Sequence, residues 1–515
     1  MGIFMLSLPH TYRNQHVSQS LAGRMTVIDG LAERLNQTPN APYLTAAASS
    51  GERRTLSYAE FDRFSRQAAS WLYHEFGLAA GAIVGFAPCN DLASAATLFG
   101  ALRSGVRVVF LDPEAPQHRQ EAIMRQIGAE TVLNPPPDLE RLPPPNAEDA
   151  PLKPADDAFY FPTSGSTAAS KIVIQTHRGA VANALAITCH HAMQPGVRLL
   201  GCLPIHHVNG FHFTLLATLF SGAHAMLAQG FNPLTYPRLL YEFRPHIASV
   251  VPSILNALLA TWRAPEIPPD FRYFVSAAAP LTRETVRSAY ERWGVRILQG
   301  YGLTETNNFS TTLLRSLSDA CYRRQMVDTD IPTIGVAVQG NEVAILDASG
   351  RQLGPGERGE ICVRGHNVMD GYAGNPEGTA DAFKDGWFHT GDIGMERFDP
   401  EVEAPLFVVV GRKKNIAKVR GESVSLEEME RELTGMDGVS DAACVVLDDE
   451  MLGEAIAAVI VGNATLTDQQ VNDHLRQMFA PSTLPRRILY VDAIPRTPTG
   501  KILRPALLTQ IRKLL

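Results

Sequence analysis

A chain of 515 residues, 45% apolar and 19% charged, is too long for one core and has the composition of a soluble protein of two or more domains. A net charge of −7 without a dense Lys/Arg block excludes nucleic acid and anionic membrane as principal partners; six scattered cysteines with no C-x-x-C pair exclude a disulfide frame or zinc site. The N-terminus has no signal-peptide pattern, and the longest apolar stretch, 248–262, is broken by Pro252 and Asn256, so a cytoplasmic protein with no membrane insertion is expected.

In chain order, 58–76 has apolar positions at helical spacing, 83–86 reads as a buried strand, 92–102 as an apolar helix and 106–111 as a strand. A helix at 117–127 then runs into a strand at 131–133. This alternation implies parallel strands joined by crossover helices. The Pro- and acid-rich segment 134–157 reads as a surface connection, and strands are expected again at 201–203, 248–251, 271–276 and 296–299. Beyond about residue 330, short strands with Gly turns at 342–346, 359–363 and 406–410 imply an antiparallel, barrel-like or meander subdomain. After Lys414 comes an α+β pattern: helix 426–433, strands 443–447 and 455–461, helix 468–479, strand 488–491. The expected fold class is therefore α/β, with a large N-terminal body of parallel α/β subdomains plus a small β-rich subdomain (1–411). A small, mobile α+β lid (412–515) follows, its hinge near Lys414.

Five motifs carry chemistry. Thr163-Ser164-Gly165-Ser166-Thr167, closed by Lys171, clusters hydroxyls and free backbone N–H groups around a glycine, a concavity suited to phosphate. It is not a Walker A loop, because Ser170 precedes the lysine and Ile172 follows it. Gln299-Gly300-Tyr301-Gly302-Leu303-Thr304-Glu305 places an aromatic ring in a tight turn beside a carboxylate able to hold Mg²⁺. Thr390-Gly391-Asp392 offers a carboxylate in a Gly turn, suited to ribose hydroxyls. Gly411-Arg412-Lys413-Lys414-Asn415 and Pro498-Thr499-Gly500-Lys501 place a hinge and a loop-tip lysine at opposite ends of the lid.

In this order the motifs resemble the adenylate-forming superfamily of acyl- and aryl-CoA synthetases, luciferases and peptide-synthetase adenylation domains, from about Thr55 to Arg504. The wording is most similar to the acid–CoA ligases. The resemblance implies that residues 163–171 hold the β- and γ-phosphates, Tyr301 flanks adenine and Thr304 meets the α-phosphate. It further implies that Glu305 binds Mg²⁺, Asp392 and Arg412 bind ribose, Lys501 bridges the α-phosphate and the substrate carboxylate, and Lys414 is the pivot. A lysine there has a physical reason: a carboxylate about 4 Å from an anionic phosphate is repelled by roughly 4 kcal/mol at an effective dielectric near 20. One departure stands out, since Ala168 occupies a position where the family has glycine and would cost about 1 kcal/mol if φ is positive there.

Pro204-Ile205-His206-His207 resembles the family segment whose histidine lies beside the substrate carboxylate, which makes His207 a catalytic candidate with Lys501, Thr304 and Glu305. Amino-acid-activating relatives carry Asp where this chain has Asn209, and an amide cannot repay the desolvation of an ammonium, so an α-amino acid is disfavoured. Asn209, Phe211, Ser253, Ala277 and Asn308 are the acyl-pocket candidates and suggest a compact acid with some polar function. The expected reaction is ATP-dependent activation of a small carboxylic acid through an acyl adenylate, with Mg²⁺, then transfer to the thiol of CoA. The alternatives are transfer to the phosphopantetheine of a carrier protein acting in trans or to an amine, and a nucleotide- or acyl-AMP-binding protein without turnover.

Overall fold

The computed structural model describes residues 8–48, 50–145, 148–163, 171–262, 267–279, 281–419, 422–449, 453–462, 466–497 and 500–512. Among these, two sheets built around parallel strands form the body. In the smaller, Arg107–Phe110 lies between Ile83–Phe86 and Asp157–Pro162, all parallel, with Val84 opposite Val108 and Val108 opposite Phe159. In the larger, Arg198–Gly201, Ile247–Val250, Tyr273–Ser276 and Arg296–Tyr301 run side by side in parallel. The expected crossover architecture holds where a strand is followed by a helix with its own start and stop, as after Ile83–Phe86, Arg107–Phe110, Ile247–Val250 and Tyr273–Ser276. Helix Tyr58–Phe76 begins at a reciprocal Ser57/Glu60 cap and ends on Gly77, whose φ of 64° is left-handed. Helix Leu92–Arg103 is buried on every face, hence its lack of a polar stripe; its terminal Arg103 is held by Asp62 and Asp149, as a buried cation requires.

Three expectations shift. Apart from the 3-10 turn Leu139–Arg141, the described residues of 134–156 are irregular up to the strand Asp157–Pro162, yet the segment is strapped down: Leu139 and Leu142 are buried, and Asp149 comes from it. The strand placed at 201–203 is Arg198–Gly201, and the helix 468–479 ends at Leu475. In both, apolar side chains continue past the end of the element: Cys202 and Leu203 are buried, and Phe479 packs partly buried against the C-terminal core.

The β-rich subdomain is an antiparallel meander of Asn341–Leu346, Gly359–Gly365, Trp387–Asp399 and Val402–Arg412. Its last strand runs through Arg412, so that residue belongs to the body's sheet and not to the lid as the expected boundary had it. The lid packs the helix Leu426–Thr434 on an antiparallel pair, Val439–Asp449 and Gly453–Gly462, around Leu426, Met429, Leu433, Cys444 and Ile456. No helix among the described residues is long and apolar enough to cross a membrane.

Candidate active site

The strand register creates the first part of the site. Asp392 and Arg412 are direct cross-strand partners, and Arg412 Nε lies 2.8 Å from Asp392 Oδ1. Asp392 therefore sits inside the long strand Trp387–Asp399 rather than in a turn, with the left-handed Gly391 (φ 73°) just before it. From the larger sheet, the Tyr301 hydroxyl donates to Asp392 Oδ2 at 2.7 Å. Burial pushes the Asp392 carboxyl above its usual range, and the Arg412 charge and the Tyr301 bond oppose that shift. Burial also raises the Tyr301 phenol far above its ordinary value, so it stays a donor. Gly302 is required beside it, because a Cβ there would fall 1.6 Å from the carbonyl oxygen of Asn308.

The second part is the turn Thr304–Thr306. Gln175 Nε2 donates to the Thr304 carbonyl at 2.8 Å, and Gln175 Oε1 lies 2.8 Å from His212 Nε2. Met369 N–H donates to the Glu305 carbonyl at 2.8 Å, and the Tyr372 hydroxyl donates to Glu305 Oε1 at 2.9 Å. Among the described residues Glu305 Oε2 accepts no hydrogen bond, so an acidic oxygen is available, which fits a hard divalent cation. Lys171 Nζ stands 4.5 Å from the centre of the Tyr372 ring. The expected phosphate loop joins Asp157–Pro162 to Ile172–Thr176, an antiparallel pair closed by a 2.8 Å bond from Thr163 N–H to the Lys171 carbonyl. A strand, not a helix, follows the loop, which distinguishes it structurally from a Walker A loop. Ser164, Gly165, Ser166, Thr167 and Ala168 lie outside the described residues.

The third part comes from the lid. Lys501 rides a tight hairpin: Thr497 N–H donates to the Lys501 carbonyl at 2.8 Å, Lys501 N–H to Thr497 Oγ1 at 3.0 Å, and Gly500 takes φ 84°. Pro498 and Thr499 lie outside the described residues. Lys501 is exposed. Surrounding protein nevertheless lowers its pKa, first by desolvation and then by the charge of Arg412, against the attraction of Asp392 and Glu305. Lys501 thus lies within electrostatic reach of those three residues. Lys414, also depressed by burial and by Arg412, adds a further cation, so an anion placed among them relieves their mutual repulsion.

His207 is half-buried, its ring 4.5 Å from that of His206, and burial together with His206 lowers its pKa to about 4; the Lys501 charge acts in the same direction. The imidazole is therefore neutral at physiological pH.

The acyl-pocket candidates separate. Asn209 opens a π-helical segment, Asn209–Leu216, and its Oδ1 accepts from Ser249 Oγ at 2.9 Å. Ala277 and Asn308 are buried, and Asn308 Nδ2 has no partner among the described residues. Ser253 is exposed and faces the lid hairpin, 3.4 Å from where a Cβ on Gly500 would lie. Phe211 is corrected: it has no exposed surface and packs against Phe110 and Phe159 at ring distances of 5.3 and 4.8 Å, in the core. Gln175, Met369 and Tyr372 are not picked out by the sequence motifs, since their roles rest on contacts 64 to 129 residues apart in sequence that no local pattern announces.

Fold and site together have the make-up of an adenylate-forming enzyme: a two-sheet body, a β-rich subdomain bearing an Asp–Arg pair, and a small C-terminal domain carrying Lys501. Comparison with known proteins agrees. The AMP-binding enzyme family model matches residues 31–373, and the AMP-binding enzyme C-terminal domain model matches residues 428–501. The chain belongs to this family. It is 32% identical over 354 residues to the long-chain-fatty-acid–CoA ligase FadD13 of Mycobacterium tuberculosis, covering 68% of this chain and 67% of that protein. It is 31% identical over 359 residues to 4-coumarate–CoA ligase 2 of Nicotiana tabacum, covering 66% of this chain and 63% of that protein. The fold is that of ATP-bound MatB from Rhodopseudomonas palustris, with a TM-score of 0.84 at 24% identity, covering 95% of this chain and all of that one.

Proposed function

We propose that the protein condenses a small carboxylic acid, not an α-amino acid, with ATP to an enzyme-bound acyl adenylate, releasing pyrophosphate, and then passes the acyl group to the thiol of CoA. The observation that carries this reading is the Asp392–Arg412 pair, with the Tyr301 hydroxyl on Asp392, in electrostatic reach of Lys501, which also feels Glu305. The Asp392 carboxylate accepts from the ribose hydroxyls, with Arg412 and Tyr301 holding it, and the Tyr301 ring flanks adenine. Lys171 and Thr163 at the neck of the loop meet the β- and γ-phosphates. Thr304 and Lys501 meet the α-phosphate, and Lys501 also neutralises the incoming carboxylate. Glu305 would hold Mg²⁺, which supplies further positive charge to the phosphates when bound. His207, neutral and within electrostatic reach of Lys501, orients the substrate carboxylate without adding charge to it.

The lid then turns about Lys414 and withdraws Lys501, opening a path for the thiol. Its present seat is held by Arg358–Glu428 (2.9 Å) and by the bond from Arg431 to the Val410 carbonyl (3.0 Å), contacts such a turn would break. The family relationship to acid–CoA ligases supports CoA as acceptor over a carrier pantetheine or an amine. The test is acid-dependent ATP–pyrophosphate exchange across aromatic, medium-chain and polar acids, followed by acceptor competition among CoA, carrier pantetheine and amines. Exchange with no acid in the panel would refute adenylation, and acyl transfer to amines but not to CoA would refute the ligase reading.

A further inference from the structure

The side chain that touches the free-edged carboxylate of the site has no role in the reaction as derived so far. Tyr372 closes the two-residue strand Gly371–Tyr372, which pairs antiparallel with Ile172–Thr176 immediately after the phosphate loop, placing Tyr372 opposite Val173. Its backbone is pinned, because Tyr372 N–H donates to Thr379 Oγ1 at 2.9 Å and Thr379 Oγ1 in turn donates to the Asn375 carbonyl at 2.8 Å. Three residues earlier, Met369 N–H holds the Glu305 carbonyl. One short segment thus grips Glu305 twice, by backbone and by side chain. Tyr372 is 6% exposed, so little water competes for the bond its hydroxyl donates to Glu305 Oε1 at 2.9 Å.

We propose that Tyr372 is the positioning residue of the metal carboxylate: its hydroxyl holds Glu305 Oε1 so that Oε2 is presented to a divalent cation, and its ring seats the Lys171 ammonium on the same side. The inference rests on the reading of Glu305 as the metal ligand. Its physical basis is that a ligating carboxylate with one oxygen tied loses less rotational freedom on binding a cation, and a neutral donor does this without competing for the metal. Lys171 over the ring face brings a cation to the phosphates from a fixed seat.

The test uses the full chain with ATP and no acid substrate, and Mn²⁺ as the probe, its free concentration read by electron paramagnetic resonance. Tyr372→Phe keeps the ring and removes the hydroxyl. It should weaken Mn²⁺ binding to the ATP complex by about tenfold, the effect typical of losing a partner of a metal ligand. The same variant should need more Mg²⁺ for half-maximal rate, with kcat at saturating metal nearly unchanged and metal-free AMP binding intact. Tyr372→Leu should weaken ATP binding as well. Unchanged Mn²⁺ affinity in Y372F, with Glu305→Gln clearly weakened, overturns the role of Tyr372 alone. Unchanged affinity in E305Q overturns the metal reading of Glu305 and the inference with it. If Y372F does not fold, 3-fluorotyrosine at position 372 provides the decision: its ¹⁹F resonance should move when Mg²⁺ is added to the ATP complex, and a stationary resonance overturns the proposal.

Discussion

Tyr301→Phe isolates one atom of the nucleotide clasp. The phenyl ring stays in place to flank adenine, and only the hydroxyl that donates to Asp392 Oδ2 at 2.7 Å is lost. Asp392 is 3% exposed, so water cannot replace that donor, and a hydrogen bond to a charged group contributes about 1.5–3 kcal/mol. Arg412 remains, but its side chain is 40% exposed and its attraction is partly screened. The expected result is a loss of AMP affinity of about ten- to a hundredfold, the range those energies convert to. A second readout has a definite sign. Burial already raises the Asp392 carboxyl above its usual value, and removing a contact that favours the ionised form raises it further. Binding that needs the carboxylate is present above that pKa and lost as the pH falls through it, so the acid limb of AMP binding should move to higher pH in the variant. Isothermal titration of AMP across mildly acidic to mildly alkaline pH measures both, with the melting temperature as a control for folding. Wild-type affinity at neutral pH together with an unmoved acid limb would refute the clasp.

Four further outcomes are expected. Lys501→Ala should lower acid-dependent ATP–pyrophosphate exchange by about a thousandfold, from roughly 4 kcal/mol of unrelieved repulsion, and spare thioester formation from synthetic acyl adenylate; equal loss of both would refute the lid model. In the wild type, because burial lowers the Lys501 pKa, adenylation should fall on the alkaline side earlier than for a free lysine, and that limb should vanish in the alanine variant. Lys414→Pro should leave adenylation intact and slow the thiol step by about tenfold, ~1.4 kcal/mol of barrier, read from single-turnover kinetics of the two half-reactions. Gly302→Ala should destabilise the protein by about 3 kcal/mol or abolish AMP binding, because the new Cβ, whose position the backbone fixes, meets the backbone carbonyl of Asn308 and no rotamer relieves it; calorimetry and AMP titration would show it.

Much of this protein is written locally. The Ser57/Glu60 cap, the left-handed Gly77 and the wholly apolar helix Leu92–Arg103 specify helices by short-range physics, and the alternation of such units with short apolar strands implies a parallel body. The five motifs are contiguous runs, so the chemistry they suggest, phosphate, base, ribose and a lid lysine, could be read without coordinates. What only the tertiary structure decided is which side chain meets which. Sequence could offer Asp392 and Arg412 as separate candidates, but their pairing depends on the register between Trp387–Asp399 and Val402–Arg412, set by the packing of a whole sheet. The same holds for Tyr301 on Asp392 and Tyr372 on Glu305, where partners lie 91 and 67 residues apart. Phe211 shows the converse: proximity in sequence to His207 suggested a pocket wall, and the π-helical segment from Asn209 onward turned the ring into the core among Phe110 and Phe159. Residue type and local order determine what chemistry is available; long-range packing, which decides where each side chain is desolvated and against what, determines where it can be used.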